Sequence, residues 1–215
     1  DYHKFADICV RTNSLRTDAA GDQITEESRV IGYDLNIRSN GFVAETKFTK
    51  ENHKEYKNIV PVIELVNELY KKEFPLNYYF QESLEVDPHF LIGRTVFSQC
   101  IINRSFRTHL HKDKGNVKGT VSNMVCLGDS TFSGGFLVLP EYRVAINVRP
   151  RDYIGFMGRE FWHGNTEIIG SGTRLTIVCY TKKEIVNKSY EEALVKMGIK
   201  TLEEFHSKER NNVIC

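Results

Sequence analysis

Three short stretches of the chain carry side chains that can act together on a metal. Thr108-His109-Leu110-His111-Lys112-Asp113 contains a His-x-Asp. In extended chain, residues i and i+2 project to one side, so His111 and Asp113 can present an imidazole and a carboxylate to one ion. His163 follows in Phe161-Trp162-His163-Gly164-Asn165, and Arg174 then opens a strongly apolar run. Two histidines and one carboxylate on one face of a metal leave positions open, as in non-heme Fe(II) oxygenases. Those positions suit a bidentate oxo-acid and then O2, while an arginine fork pairs with the distal carboxylate of the oxo-acid. Arg174 is the residue for that fork. Each feature alone is weak, because a strand histidine more often packs in a core and a lone arginine more often meets solvent. Their order and spacing together predict Fe(II)/2-oxoglutarate chemistry. His109 points with His111 only if the strand is regular, and it is expected to be structural rather than a ligand.

The elements that must position these residues follow from pattern. Residues 50–72 are predicted to form a helix, with Val62, Leu65, Val66, Leu69 and Tyr70 as its core stripe. Pro61 is placed in its first turn or at a kink. From 90 to 180 the texture becomes short strands and turns: 90–102, 120–127, 135–139, 143–148, 152–157 and 174–180. Residues 30–35 add a short strand, and 17–22 read as a loop. Short strands at regular spacing predict a β-sandwich or jelly roll. Ser189-Tyr190-Glu191-Glu192 and Thr201-Leu202-Glu203-Glu204 are capping boxes, with Gly198 between them, so helices close the chain.

Composition bounds the partners. The chain has 215 residues, 40% of them hydrophobic and 27% charged, which suits one globular domain rather than disorder. Its net charge of +1 excludes a histone-like binder but leaves room for a local basic groove. Arg104, Arg107, Lys112, Lys114 and Lys118 form one basic set, and Lys47, Lys50, Lys54 and Lys57 another. The five cysteines form no C-x-x-C and are expected as free thiols in a reducing, intracellular compartment: nucleus in a eukaryote, cytoplasm for a bacterial or phage protein. No apolar run reaches the roughly 18 residues of a membrane span. No signal peptide is visible, and a first residue that is not Met suggests trimming.

The stretch 107–180 resembles the TET/JBP group of Fe(II)/2-oxoglutarate dioxygenases. The matching text is R-T-H-L-H-K-D-K-G-N, L-G-D-S-T-F-S-G-G-F-L-V-L-P, P-R-D-Y-I-G-F, W-H-G-N and G-T-R-L-T-I-V-C-Y. The resemblance implies an α+β, mostly β fold: a double-stranded β-helix (jelly roll) core flanked by N- and C-terminal helices. One dioxygenase domain is expected over 1–215, with N-terminal support at 1–85, the core at 86–182 and C-terminal helices at 183–215. Iron is implied at His111, Asp113 and His163, which are also the catalytic set, and 2-oxoglutarate at Arg174. Thr176 shares the face of Arg174, and Arg107 is a candidate for the other end of the co-substrate or for phosphate. Asn116 matches a position that reads the edge of a flipped base, Tyr180 the aromatic that stacks on it, and Lys182 stands where cytosine-oxidising members carry histidine. That lysine leaves thymine open beside 5-methylcytosine.

The function expected from this is oxidation of the 5-methyl group of a pyrimidine in DNA. The route is 5-methylcytosine to 5-hydroxymethylcytosine and beyond, or thymine to its hydroxymethyl form. O2 is consumed, ascorbate serves as reductant, and the chain acts as a monomer without a membrane. Asp113 argues against a halogenase, which needs that position vacant. The alternatives are an Fe(II)/2-oxoglutarate hydroxylase of a protein side chain or small molecule, and a cupin-like binding domain without catalysis.

Overall fold

The computed structural model describes residues 15–17, 23–25, 28–36 and 41–196. Its strands are β1 (Leu15–Thr17), β2 (Gln23–Thr25), β3 (Ser28–Asn36), β4 (Phe42–Glu45), β5 (Gln99–Arg104), β6 (Ser122–Gly128), β7 (Ser133–Gly134), β8 (Leu137–Leu139), β9 (Val144–Ile146), β10 (Tyr153–Phe156), β11 (Gly164–Asn165), β12 (Ile168–Ile169) and β13 (Arg174–Tyr180). The helices are α1 (Lys47–Glu51), α2 (His53–Glu73), α3 (Pro75–Glu82) and α4 (Tyr190–Lys196). A six-stranded antiparallel sheet runs β10-β6-β13-β5-β3-β4. Facing it are the smaller β11-β8-β9 and β12-β7 sheets. The molecule is mostly β, with helices on one side of a jelly-roll core, as the sequence predicts.

Period-two patterning divides the large sheet into a helix-facing and a cavity-facing side. On β13, Leu175, Ile177 and Cys179 join the α2 core, while Arg174, Thr176, Val178 and Tyr180 line a cavity. On β5, Cys100 and Ile102 face the helix, and Ile101 and Asn103 face the cavity. Met124, Cys126, Phe132, Leu137 and Val148 fill the space between the sheets. Cys100, Cys126 and Cys179 are buried free thiols; Cys9 and Cys215 lie outside the described residues.

The helix differs in register from its prediction. Of the predicted stripe Val66 and Tyr70 are buried and Val62 packs partly on the core, but Tyr56, Ile59 and Ile63 complete the buried face of α2, whereas Leu65 is 61% exposed. Pro61 sits well inside the helix on its solvent side rather than in the first turn. The segment 47–73 is two helices broken at Asn52, α1 being capped by Thr46. The strand predicted over 90–102 begins only at Gln99. Before it, Thr95 Oγ1 donates to the Ile92 carbonyl (2.7 Å) and accepts from Phe97 N (3.1 Å), while Asn67 Oδ1 of α2 takes Val96 N (3.0 Å). These bonds hold the backbone in a loop. Helix α3, with Pro75 in its first turn, has no counterpart among the predicted elements. The second capping box and Gly198 lie outside the described residues. No described helix is long and apolar enough to cross a membrane.

Candidate active site

His111 lies in extended chain between β5 and β6, and His163 immediately precedes β11. The two residues pair as an antiparallel bridge, His111 N donating to the His163 carbonyl (2.9 Å) and His163 N to that of His111 (3.0 Å). Direct pairing places both imidazoles on one side, with ring centroids 4.3 Å apart. Asp113, two residues along, follows onto the same side. Its Oδ1 lies 3.3 Å from His111 Nε2 and its Oδ2 3.6 Å from His163 Nε2. One ligand atom from each of the three lies within 4.8 Å of the others. Among the described residues this is the one group of metal-ligating side chains so arranged.

Neighbouring atoms set the chemical state of each member. His111 Nδ1 lies 2.8 Å from the His109 carbonyl, and His163 Nδ1 lies 3.1 Å from that of Phe161. Each carbonyl can only accept, so Nδ1 of each ring carries a proton and Nε2 is left facing the centre. The Asp113 hydrogen bond raises the pKa of His111 above its ordinary value, and burial lowers that of His163. Burial pushes the Asp113 carboxyl up. Hydrogen bonds from His111 and Ser122 and the two imidazoles outweigh it and hold the group below its usual range.

The carboxylate is also held from behind. Ser122 Oγ donates to Asp113 Oδ2 (3.2 Å), and Asn116 Nδ2 reaches Ser122 Oγ (3.1 Å) and Asp113 Oδ2 (3.4 Å). Asp113 N donates to the Gly158 carbonyl (2.9 Å). A Cβ on Gly158 would overlap Asp113 Oδ2 and lie 2.5 Å from Ser122 Oγ, so the tight approach requires glycine. Ser122 and Gly158 carry no motif that marks them in the sequence.

Arg174 and the triad line the same cavity. The arginine is only 4% exposed, and its Nε has no partner among the described residues. Burial lowers its pKa, and among the described residues no carboxylate pairs with it to offset that loss. Gly135, at φ +67°, leaves room for its side chain: a Cβ there would stand 2.8 Å from Arg174 Cδ. A buried, under-paired guanidinium is costly unless an anion completes it. The donor set and this orphaned nitrogen fit an iron ion and a dicarboxylate.

The other predicted site residues divide. Thr176 and Tyr180 line the cavity, and the Tyr180 hydroxyl donates to Gln99 Oε1 (2.7 Å). Arg107 is exposed and outside the lining, where Phe106 stands instead. Asn116 is 5% exposed and turned to Ser122 and Asp113 rather than to the cavity. Lys182 pairs by backbone with Asn116 and approaches Asp34 Oδ1 at 3.9 Å, also away from the lining. His109 is exposed and meets His111 through its carbonyl only.

A jelly roll holding a His-Asp-His cluster and a buried arginine in one cavity defines a non-heme oxygenase architecture. The chain belongs to the Tet_JBP family, the oxygenase domain of the 2OGFeDO superfamily, whose profile matches residues 38–183. That superfamily implies Fe(II) and 2-oxoglutarate. The chain is 33% identical over 192 residues to the bifunctional helicase and thymine dioxygenase JBP2 of Trypanosoma brucei brucei, covering 86% of this chain and 17% of that protein. It is 33% identical over 146 residues to the thymine dioxygenase JBP1 of Crithidia fasciculata, covering 66% of this chain and 18% of the relative. The chain thus spans under a fifth of these curated relatives. A solved structure of NgTET1 in complex with 5mC DNA shares the fold, with a TM-score of 0.64 at 17% identity, covering 82% of this chain and 70% of that one.

Proposed function

We propose that this chain is an Fe(II)/2-oxoglutarate-dependent dioxygenase that hydroxylates the 5-methyl group of a pyrimidine in DNA, with thymine as the base. The observation that carries the reading is the buried Arg174, whose Nε is orphaned in the cavity that also holds the triad. His111 and His163 would ligate through Nε2 and Asp113 through its carboxylate. Arg174, with Thr176 on the same face, would bind the distal carboxylate of 2-oxoglutarate. When bound, the metal and co-substrate supply O2-dependent oxidation: 2-oxoglutarate, O2 and a methyl group give succinate, CO2 and a hydroxymethyl group. Ascorbate would keep the metal reduced.

This chain's own residues orient and exclude. Ser122 and Asn116 hold the Asp113 carboxylate, the Gly158 carbonyl takes its backbone N–H, and the two Nδ1 bonds fix the imidazoles. A methyl group inside a duplex cannot reach this cavity, so the nucleotide is flipped out. The ring of Tyr180 in the wall offers a face for the base. Exposed Arg107, Lys114 and Lys118, close in sequence to the triad, suit phosphate contacts, which position the strand without reading it. The choice of thymine is supported by the thymine dioxygenase names of relatives at 33% identity, against a 17% likeness to the structure with 5mC DNA.

The test is incubation with Fe(II), 2-oxoglutarate and ascorbate on two duplexes, one carrying 5-methylcytosine and the other only thymine. The digested nucleosides are then read by mass spectrometry. Gain of one oxygen on thymine, lost in H111A, is the expected result. Succinate without an oxidised base would instead indicate a protein or small-molecule hydroxylase. Neither product would sink the enzymatic reading altogether.

A further inference from the structure

The register of the large sheet carries one row of side chains across the triad end of the cavity. Tyr180 of β13 pairs directly with Gln99 of β5. On its other side, the register that sets Cys179 opposite Asn123 brings Tyr180 level with Ser122 of β6. Ser122 donates to the Asp113 carboxylate (3.2 Å), so β6 is the metal side of this row and β5 the far side. Arg174 stands six residues back along β13, toward the other end of the cavity. Gln99 is 1% exposed and outside the lining, so it does not meet a ligand there. What it meets is Tyr180.

Hydrogen-bonding rules fix the direction of that contact. Gln99 Nε2 lies 2.7 Å from the Tyr33 carbonyl, which only accepts, so the amide donates there. Its Oε1 is then the atom turned to Tyr180, and the phenol hydroxyl gives it its one proton at 2.7 Å. The Tyr33 backbone is itself held, because Tyr33 N donates to the Ser98 carbonyl (2.9 Å). Gly32, at φ +100°, allows that approach, since a Cβ there would overlap Ser98 O. Side chains directly opposite on a sheet start about 5 Å apart and stand nearly upright. A 2.7 Å bond between their ends requires the two to lean together. The Tyr180 ring is thus drawn toward β5 and away from Ser122 and Asp113. An untethered ring is free to swing over the metal side and fill the space that a reacting methyl group needs.

We propose that Gln99 is the positioning residue of the base platform: by anchoring the Tyr180 hydroxyl on β5 it sets the ring clear of the metal centre, so that a pyrimidine stacked on it turns its methyl group to the triad. This inference rests on the DNA reading above. A reacting group displaced by about 1 Å costs on the order of 100-fold in rate, so the placement of the ring matters as much as its presence. An aromatic face attracts any base. Gln99 therefore governs placement and not the choice between thymine and 5-methylcytosine.

The experiment compares wild type, Q99M, Y180F and the double variant on thymine and 5-methylcytosine duplexes. It reads kcat/KM for DNA, KM for 2-oxoglutarate, and the ratio of succinate to oxidised base. Y180F keeps the ring and removes only the hydroxyl, while Q99M keeps the side-chain length and removes the amide. Each is expected to lower kcat/KM for DNA about tenfold, with the preference between the two duplexes unchanged. The double variant should fall within about twofold of the worse single one, because both cut the same bond. The KM for 2-oxoglutarate stays within about twofold. Succinate, matched to oxidised base in wild type, should exceed it about threefold or more in the variants, since the co-substrate still turns over beside a misplaced base. Loss of folded protein alone lowers both products together and leaves their ratio fixed, so the ratio separates positioning from structure. Losses that multiply in the double variant would overturn the proposal. So would a ratio that stays matched, or Y180F kinetics equal to wild type, and these two decide even if Q99M fails to fold. A wild-type enzyme that oxidises neither base overturns the DNA reading and this inference together.

Discussion

Replacing Gly158 by alanine should disable the metal centre without touching any of its ligands. The methyl carbon would overlap Asp113 Oδ2 and stand 2.5 Å from Ser122 Oγ. Ordinary carbon–oxygen contact is near 3.4 Å, so the carboxylate must retreat by about 1 Å. It cannot do so freely, because Asp113 N is bonded to the Gly158 carbonyl at 2.9 Å and the two backbones move together. Misplacing a reacting group by that much costs on the order of 100-fold in rate, and disturbing the groups behind a metal ligand costs about 10–100-fold in affinity. We expect the Kd for Fe(II) in G158A, titrated anaerobically by equilibrium dialysis, to rise about 10–100-fold. Succinate formation should fall in parallel. The overpacking costs about 1–3 kcal/mol of stability, so the fold survives for measurement. A folded G158A that binds Fe(II) within about threefold of wild type would refute the idea that this close approach seats the carboxylate.

Other consequences follow from the same geometry. R174M should abolish stabilisation by 2-oxoglutarate in thermal melts while leaving the ligand-free melting temperature unchanged or raised, because a buried, under-paired cation is replaced by a well-packed side chain; a large ligand-free loss would mean the arginine has a structural partner. Q81L removes a buried amide that donates to Val96 O (2.9 Å) and Thr181 Oγ1 (2.8 Å) and accepts from the Tyr70 hydroxyl (3.1 Å), and should cost about 1–3 kcal/mol in denaturant titrations. Asp87 takes Tyr190 N on Oδ2 (2.8 Å) and His89 N on Oδ1 (3.0 Å), tying down the start of α4. Burial raises its pKa, but these bonds prevail and hold it below the ordinary value. A depressed carboxylate contributes stability above its unfolded pKa and loses it as pH falls through the folded one. Amide protection factors in residues 190–196, corrected for the intrinsic pH dependence of exchange, should therefore fall below the ordinary aspartate pKa, and D87N should show that lower protection already at neutral pH.

The parts legible in the sequence were those with short-range periodicity or a fixed local motif. His-x-Asp declares two ligands because extended chain repeats every two residues, and β13 reads correctly from Arg174 to Tyr180 because a short, β-branched, apolar run bounded by turn residues fits a strand buried on both faces. Helix α2 was visible with its stripe partly rotated: Val66 and Tyr70 are buried as read, but Leu65 is not. Val62, Leu65 and Leu69 form as regular a stripe as Tyr56, Ile59, Ile63 and Tyr70, and only the sheet beneath selects between them. Helix α3 is short, and its Leu76, Tyr79 and Phe80 are exposed, so hydrophobic pattern could not announce it.

By itself the sequence determined the chemistry on offer: two imidazoles, one carboxylate and one arginine, in an order that suits a metal and an oxo-acid. Tertiary structure alone decided which side chains meet. His111 and His163 converge because two distant segments pair directly, and Asp113 is fixed by Ser122 and Gly158, which no motif connects to it. Asn116 has the residue type of a base reader, yet packing turns it to the metal carboxylate. Ser28 and Asn103 have unremarkable sequence surroundings, yet strand register leaves both facing the cavity. Hydrogen-bonding capacity is a property of residue type, but whether that capacity is spent inside the protein or left for a ligand is a property of the packed fold.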